Sequence, residues 1–240
     1  RPELSNLVRQ LADEDAIEPR DAFQGAVYFL AGALEREGFV LFRNGGLPLI
    51  ERHSEHLRQE LLLRLGPHSV PGAVVPIALH IHVSHSGMRE IRERYWPALG
   101  HVPTSIAGGN IGLLQTPPTN DIWNVAGERA LSELRSHLES HLLPWLELLQ
   151  NPRALRRALW EEGVPLLDQA TATELLLYEF GRGEARAYVE EVLLSDENCR
   201  GRFERIYHGL TGVKALCYRP GEPLRNVAVI ARAHRMMGRL

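Results

Sequence analysis

Phe23, Val27, Leu30 and Leu34 recur at offsets of 0, 4, 7 and 11, the stripe of an amphipathic helix, and Gly38 supplies its stop. The period then drops to two. Phe39 to Arg43 is a short β-rich run, Asn44-Gly45-Gly46 is a hairpin turn signal, and Leu47 to His53 returns as a second strand. Leu57 to Leu65 fits both periods: Leu57, Leu61, Leu63 and Leu65 alternate, whereas Leu57, Leu61, Leu62 and Leu65 share a helical stripe. Its place between two β-type runs selects the strand. After the breakers Pro67, Pro71 and Gly72, Ala73 to Val83 is the clearest strand of the chain. Four such runs joined by short turns predict an antiparallel meander with the first helix packed on one face.

Ser86 reads as the N-cap of a short helix carrying Met88, Ile91 and Tyr95, which Pro97 ends. His101 to Asn120 is loop-like, with one more strand expected at Ile111 to Leu114. From Gly127 the pattern is helical. Leu131, Leu134, Leu138, Leu142, Trp145 and Leu149 form one stripe, and Pro144 inside it predicts a kink. Asn151-Pro152 reads as N-cap and first helical residue, with Gly163 as the stop. Further helices are predicted over Asp168 to Phe180, Glu184 to Leu194 and Glu197 to His208, the first two joined at Gly181-Arg182-Gly183. The expected fold is α+β. An antiparallel meander sheet with packed helices occupies residues 1–125, an all-helical region 126–215, and a basic helical segment 216–240, together one compact unit.

Composition changes this picture little. With 240 residues, 44% hydrophobic and 24% charged, the chain has the make-up of a soluble globular protein that needs no covalent staples. No apolar run reaches the length of a membrane span and no export signal is legible. Cys199 and Cys217 are too few for a disulfide framework or a four-cysteine zinc site, so a reduced, cytoplasmic protein is expected. The net charge of −3 is uneven: Arg219, Arg225, Arg232, Arg235 and Arg239 face only Glu222, so the last 22 residues carry +4 and the rest −7.

Three stretches carry a family resemblance. They are Gly38-Phe39-Val40-Leu41-Phe42-Arg43-Asn44-Gly45-Gly46, the run from His80-Ile81-His82 through Met88-Arg89-Glu90-Ile91, and Trp123 followed by a helix ending Leu143-Pro144-Trp145-Leu146. Spread over the first two thirds of the chain, they resemble a bacterial family known only as domain of unknown function 4304. The resemblance implies an α+β fold in a bacterial protein, with no assigned activity and no functional residues to transfer.

The sharpest chemical candidate is His80-Ile81-His82-Val83-Ser84-His85. On a strand His80 and His82 share a face and can present two imidazoles to one zinc ion, with His85 available if a turn swings it back. The spelling resembles the histidine motif of metallo-β-lactamase-fold hydrolases, but Ser84 stands where that motif has an aspartate. His137 and His141 lie on the long helix and are no convincing counterparts of that family's later ligands. His53 and His56 can supply a further ligand only if the strand register brings them across. The bland alternative is that these histidines occupy the polar face of a half-buried strand. Gly108-Gly109-Asn110-Ile111-Gly112 lacks the Lys-Ser/Thr of a phosphate loop and reads as a loop or the start of a strand. No Gly-x-Ser-x-Gly is present, and Cys199 has no recognisable histidine partner. Glu161-Glu162 and Glu190-Glu191 read as solvated faces.

From Pro223, residues Leu224, Val227, Ile230, Ala231, His234 and Met237 share a helical face, and Arg225, Arg232, Arg235 and Arg239 gather on another. Such a helix can contact a membrane, nucleic acid or a partner. The preferred reading is a helix over Pro223 to Arg239 docked on the chain's own acidic body, with neither nucleic acid nor membrane as partner. Two functions remain. One is a non-catalytic protein-binding module, of accessory or immunity type, without cofactor. It draws on the helical hairpins and on Trp96, Trp123 and Trp160, which no periodicity requires. The other is a zinc-dependent hydrolase centred on His80, His82 and His85.

Overall fold

The computed structural model describes residues 17–44, 47–96, 101–119, 122–211 and 216–237. Helix α1 (Pro19–Leu34) has proline in its first turn, where a missing N–H costs nothing, and buries Phe23, Ala26, Val27, Leu30 and Leu34. One turn of 3-10 helix (Glu35–Glu37) follows. Gly38, at φ 82°, closes it by donating its N–H to the Glu35 carbonyl, a left-handed conformation natural to glycine.

The strands are β1 (Val40–Asn44), β2 (Leu47–His53), β3 (Leu57–Leu65), β4 (Pro76–His85), β5 (Ser105–Asn110) and β6 (Trp123–Asn124). They form one antiparallel sheet in the order β1-β2-β3-β4-β5, with β6 also on β4 through Pro76↔Asn124 and Ile77↔Trp123. The four-strand meander is therefore as expected, enlarged by two short strands. The pairing runs as far as Asn44↔Leu47, and Gly45 and Gly46 of the expected turn lie outside the described residues. Alternation turns one face of β3 and β4 inward: Leu61, Leu63, Ile77, Leu79, Ile81 and Val83 are buried there, with Gln59 and His85 as its polar members. Helix α1 lies against β1 and β3.

Three details differ from the sequence expectation. Strand β4 starts at Pro76 rather than Ala73, because Val70 and Val74 exchange backbone hydrogen bonds that hold Ala73 in a tight turn. The extra strand is Ser105–Asn110, not Ile111–Leu114, which is a 3-10 turn capped by the Asn110 side chain on the Gly112 N–H at 2.8 Å. Gly108 in this strand serves a close approach: a Cβ on it would stand 3.3 Å from the Ile81 carbonyl oxygen of β4. Helix α2 (Met88–Arg92) is capped at Gly87 rather than Ser86 and ends before the position of Pro97.

The long stripe becomes α3 (Glu128–His137), a π-helical turn (Leu138–Leu142) and α4 (Leu143–Gln150). Pro144 has no N–H for the Ser140 carbonyl. The ladder widens just before it, Leu143 donating five residues back to Leu138, so the helix absorbs the proline as a π-turn. Helices α5 (Pro152–Glu161), α6 (Gln169–Phe180) and α8 (Glu197–Gly209) start where Asn151, Asp168 and Asp196 accept from the N–H three residues on. Between the last two lies α7 (Arg182–Tyr188), extended by a π-turn to Leu193, and α9 (Pro223–Ala233) closes the series.

Two compact units result, one within Arg1–Val83 and Gly108–Glu147, the other within Ser84–Ala107 and Leu148–Leu240. This interleaved division differs from the serial partition at 125 and 215 read from the pattern. In the second unit α6 packs on α2, α7 and α9 and is buried from Ala170 to Leu177, while α9 is buried from Asn226 to Ala231. Among the described residues no helix is long and apolar enough to cross a membrane.

Candidate functional site

On β4 the even-numbered residues His80 and His82 are half-buried on one face, and the odd-numbered His85 is buried with the other set. His82 Nδ1 stands 2.9 Å from Glu60 Oε2 on β3. A carboxylate only accepts, so Nδ1 carries the proton. The other oxygen of Glu60 receives Arg58 Nη2 at 2.9 Å, and the same nitrogen reaches Glu51 Oε2 on β2 at 2.8 Å. His53 Nε2 completes the strip, 3.2 Å from Glu51 Oε1. The register Glu51↔Glu60 and His53↔Arg58 places these four on one face. Burial pushes the Glu51 carboxyl up, but the hydrogen bonds and charges of Arg58 and His53 outweigh it and hold the group below its ordinary range. Arg58 is correspondingly raised, first by its hydrogen bond to Glu51. All four carboxylate oxygens of the strip are thus engaged.

His85 has a different task. Its N–H bonds to the Thr104 carbonyl at 2.9 Å, so the strand runs straight through it and no turn carries it toward His80 and His82. Its Nδ1 accepts the Gly87 N–H at 3.1 Å, its Nε2 lies 3.6 Å from Glu179, and its ring meets Tyr178 edge-on at 5.0 Å. It therefore shapes the start of α2. His53 sits at the far end of the strip from His82, and His56 lies beside Glu55 at 3.7 Å. Among the described residues no three His, Cys, Asp or Glu side chains group closely enough to hold a metal ion.

Next to the charged strip the same face turns apolar at the sheet edge. Val40, Phe42 and Leu47 are 55%, 47% and 48% exposed. The pairs Val40↔Glu51, Phe42↔Leu49 and Asn44↔Leu47 put all three on the side of Glu51 and Glu60. The outer face of the meander thus carries a charged strip over β2, β3 and β4 and an exposed apolar patch over β1 and the start of β2.

The second unit keeps its polar chemistry inside. Arg92 Nε donates to both Glu174 oxygens at 3.0 Å and Nη2 to Oε2 at 2.6 Å, while Nη1 donates to the Pro103 and Ser105 carbonyls at 3.0 and 2.7 Å. Burial pushes the Glu174 carboxyl up and Arg92 opposes the shift. Buried His234 donates from Nε2 to the Ile91 carbonyl at 2.9 Å. Burial first, then the charges of Arg94 and Arg182, lower its pKa to about 4 against the opposing hydrogen bond. Tyr218, stacked on Trp96 at 4.9 Å, has its phenol raised by burial and by the charge of Asp168.

The basic helix α9 packs on α6 and α8, with Val227 and Ile230 fully buried and Met237 buried beyond its end. It stops at Ala233 rather than Arg239, and residues 238–240 lie outside the described residues. Arg225 bonds the Cys217 carbonyl and lies 3.5 Å from Glu222 of its own segment, and Arg232 stacks over Tyr207 at 5.2 Å. The surplus tryptophans are also absorbed: Trp96 by Tyr218, Trp123 by His137 at 4.8 Å, and Trp160 by Tyr188 at 5.1 Å. Sequence reading missed Glu60 and Arg58, whose signal was the polar phase of β3. It also missed Arg92 and Glu174, which lie 82 residues apart and carry no local signal.

Compared with protein-family models, curated proteins and solved structures, the chain matches none.

Proposed function

We propose that the chain is a non-catalytic module that binds another protein on the outer face of its β1–β2 hairpin. One observation carries the reading: three large apolar side chains, Val40, Phe42 and Leu47, lie about half-exposed and side by side on one face. Contiguous exposed apolar groups rimmed by charge are the pattern of association surfaces. The adjacent strip of Glu51, Arg58, Glu60 and His82 is already internally satisfied, which makes it a rigid polar rim and a poor source of reactive groups.

Affinity purification of the full chain from its native host, beside a Phe42→Asp variant of unchanged melting temperature, tests the reading. One protein recovered in stoichiometric amount with the wild type and lost with the variant is the expected result. Equal recovery with both chains, or none with either, overturns it.

A further inference from the structure

We infer that the partner enters as an extended segment added to the free edge of β1, and that this segment carries apolar residues at alternate positions flanked by Lys or Arg. The inference rests on the binding face proposed above and specifies its occupant. β1 ends the sheet order and pairs with β2 through all five of its residues, from Val40↔Glu51 to Asn44↔Leu47. In an antiparallel ladder alternate residues turn their N–H and C=O to opposite sides. About half of the β1 backbone groups therefore face away from β2. Among the described residues no backbone hydrogen bond reaches Val40 to Phe42 from that side; the nearest ends one residue earlier, at the Phe39 N–H.

Natural sheets blunt such edges with proline, lysine or a bulge. β1 has an unbroken register and neither residue type, and its sole charge is Arg43. The chemistry that complements alternating N–H and C=O at strand spacing is another extended backbone; a helix has its own groups satisfied internally and offers none. Side-chain direction agrees, because Val40 and Phe42 stand two residues apart and present apolar surface at the period of a strand. Charge selects the flanks: Glu35 and Glu37, exposed on either side of Arg36, leave the segment before β1 net negative, in a unit with ten basic and sixteen acidic residues.

The probe is a synthetic peptide, Arg-Val-Thr-Val-Thr-Val-Lys, and its control is the same peptide N-methylated at alternate amides. The control keeps the side chains but cannot complete a ladder. Amide hydrogen exchange of the full chain is read with each. The unmodified peptide is expected to slow exchange in Val40 to Asn44, and the N-methylated peptide to bind about tenfold more weakly or worse. Equal binding of both peptides overturns strand addition, as does binding that leaves β1 exchange unchanged or no binding at all. So does a self-associated dimer that the Phe42→Asp variant abolishes, since the edge then takes a second copy. If the host partner is lost with Phe42→Asp but β1 exchange is unchanged in that complex, the binding face stands and the strand mode falls.

Discussion

The two units differ in where they place their main charged networks, although the first also buries Gln59 and His137. The sheet-bearing unit, net −6, lays Glu51, Arg58, Glu60, His53 and His82 along an outer face where water still reaches Arg58 and the histidines. The helical unit, net +3, buries Arg92, Glu174, Asn226 and His234. A half-exposed ion pair contributes little, whereas a buried one is costly to break even where an apolar replacement of both partners would do as well. Stability should therefore be sensitive to substitution of the buried pair in the helical unit and tolerant of substitution along the outer strip of the sheet.

The largest expected effect is at Glu174, whose removal leaves the Arg92 guanidinium charged and buried. Glu174→Gln should cost about 3–5 kcal/mol, roughly 10 °C of melting temperature in a chain this size. The double variant Arg92→Met/Glu174→Leu should recover most of it. A single variant that melts within a degree or two of wild type would erase the contrast between the units.

His234 extends the contrast to pH. Its folded pKa of about 4 lies below the ordinary 6.5, so the unfolded chain takes up the proton first. Stability is complete above pH 6.5, is lost progressively as pH falls toward 4, and loses no more from this group below that. The shift corresponds to about 3 kcal/mol. Chemical denaturation at pH 7.5 and pH 4.5 should show most of this difference, and His234→Gln should flatten the slope at the cost of some packing against Tyr95. An unchanged slope in that variant would assign the acid sensitivity elsewhere.

Gly87 comes next. Its φ of −66° is ordinary, but a Cβ there would stand 2.3–2.9 Å from the Tyr178 ring. Gly87→Ala should cost about 1–3 kcal/mol through overpacking. Tyr178→Ala in the same chain should then remove the clash, so that the double variant loses less than the two single losses combined. Additive losses would mean that the ring simply swings aside.

How much of this was legible follows from the reach of each interaction. β1 to β4 were readable because alternation and turn residues act within ten positions, and α5, α6 and α8 because Asn151, Asp168 and Asp196 announce their own starts. β5 escaped because a glycine in a strand is favoured by a close neighbour, here the Ile81 carbonyl, while its own segment reads as a loop. The histidine cluster was legible as spacing but not as geometry. Parity separates His85 from His80 and His82, and the partner of His82 is Glu60, a choice fixed by the pairing of two strands. The Arg92–Glu174 pair lay beyond any local reading.

The smallest effect should fall on the strip itself. Glu60→Gln removes the negative charge that Arg58 and His82 share, yet Arg58 keeps Glu51 and the His82 side chain is already 39% exposed. The loss should stay within about 1 kcal/mol, and salt near 1 M should shrink it further because exposed charges are screened over about 3 Å there. The same variant bears on metal. If His80 and His82 hold zinc with Glu60 as a nearby carboxylate, protein purified without chelator or affinity tag should carry about one zinc per chain and lose it in Glu60→Gln and in His80→Ala/His82→Ala, with a large fall in melting temperature. The expected result is the opposite: little zinc in the wild type and a salt-sensitive loss of a few tenths of a kcal/mol to about 1 kcal/mol in Glu60→Gln. A metal-dependent loss of several kcal/mol would make the outer face the energetic centre of the sheet-bearing unit and reverse the ranking of the two units.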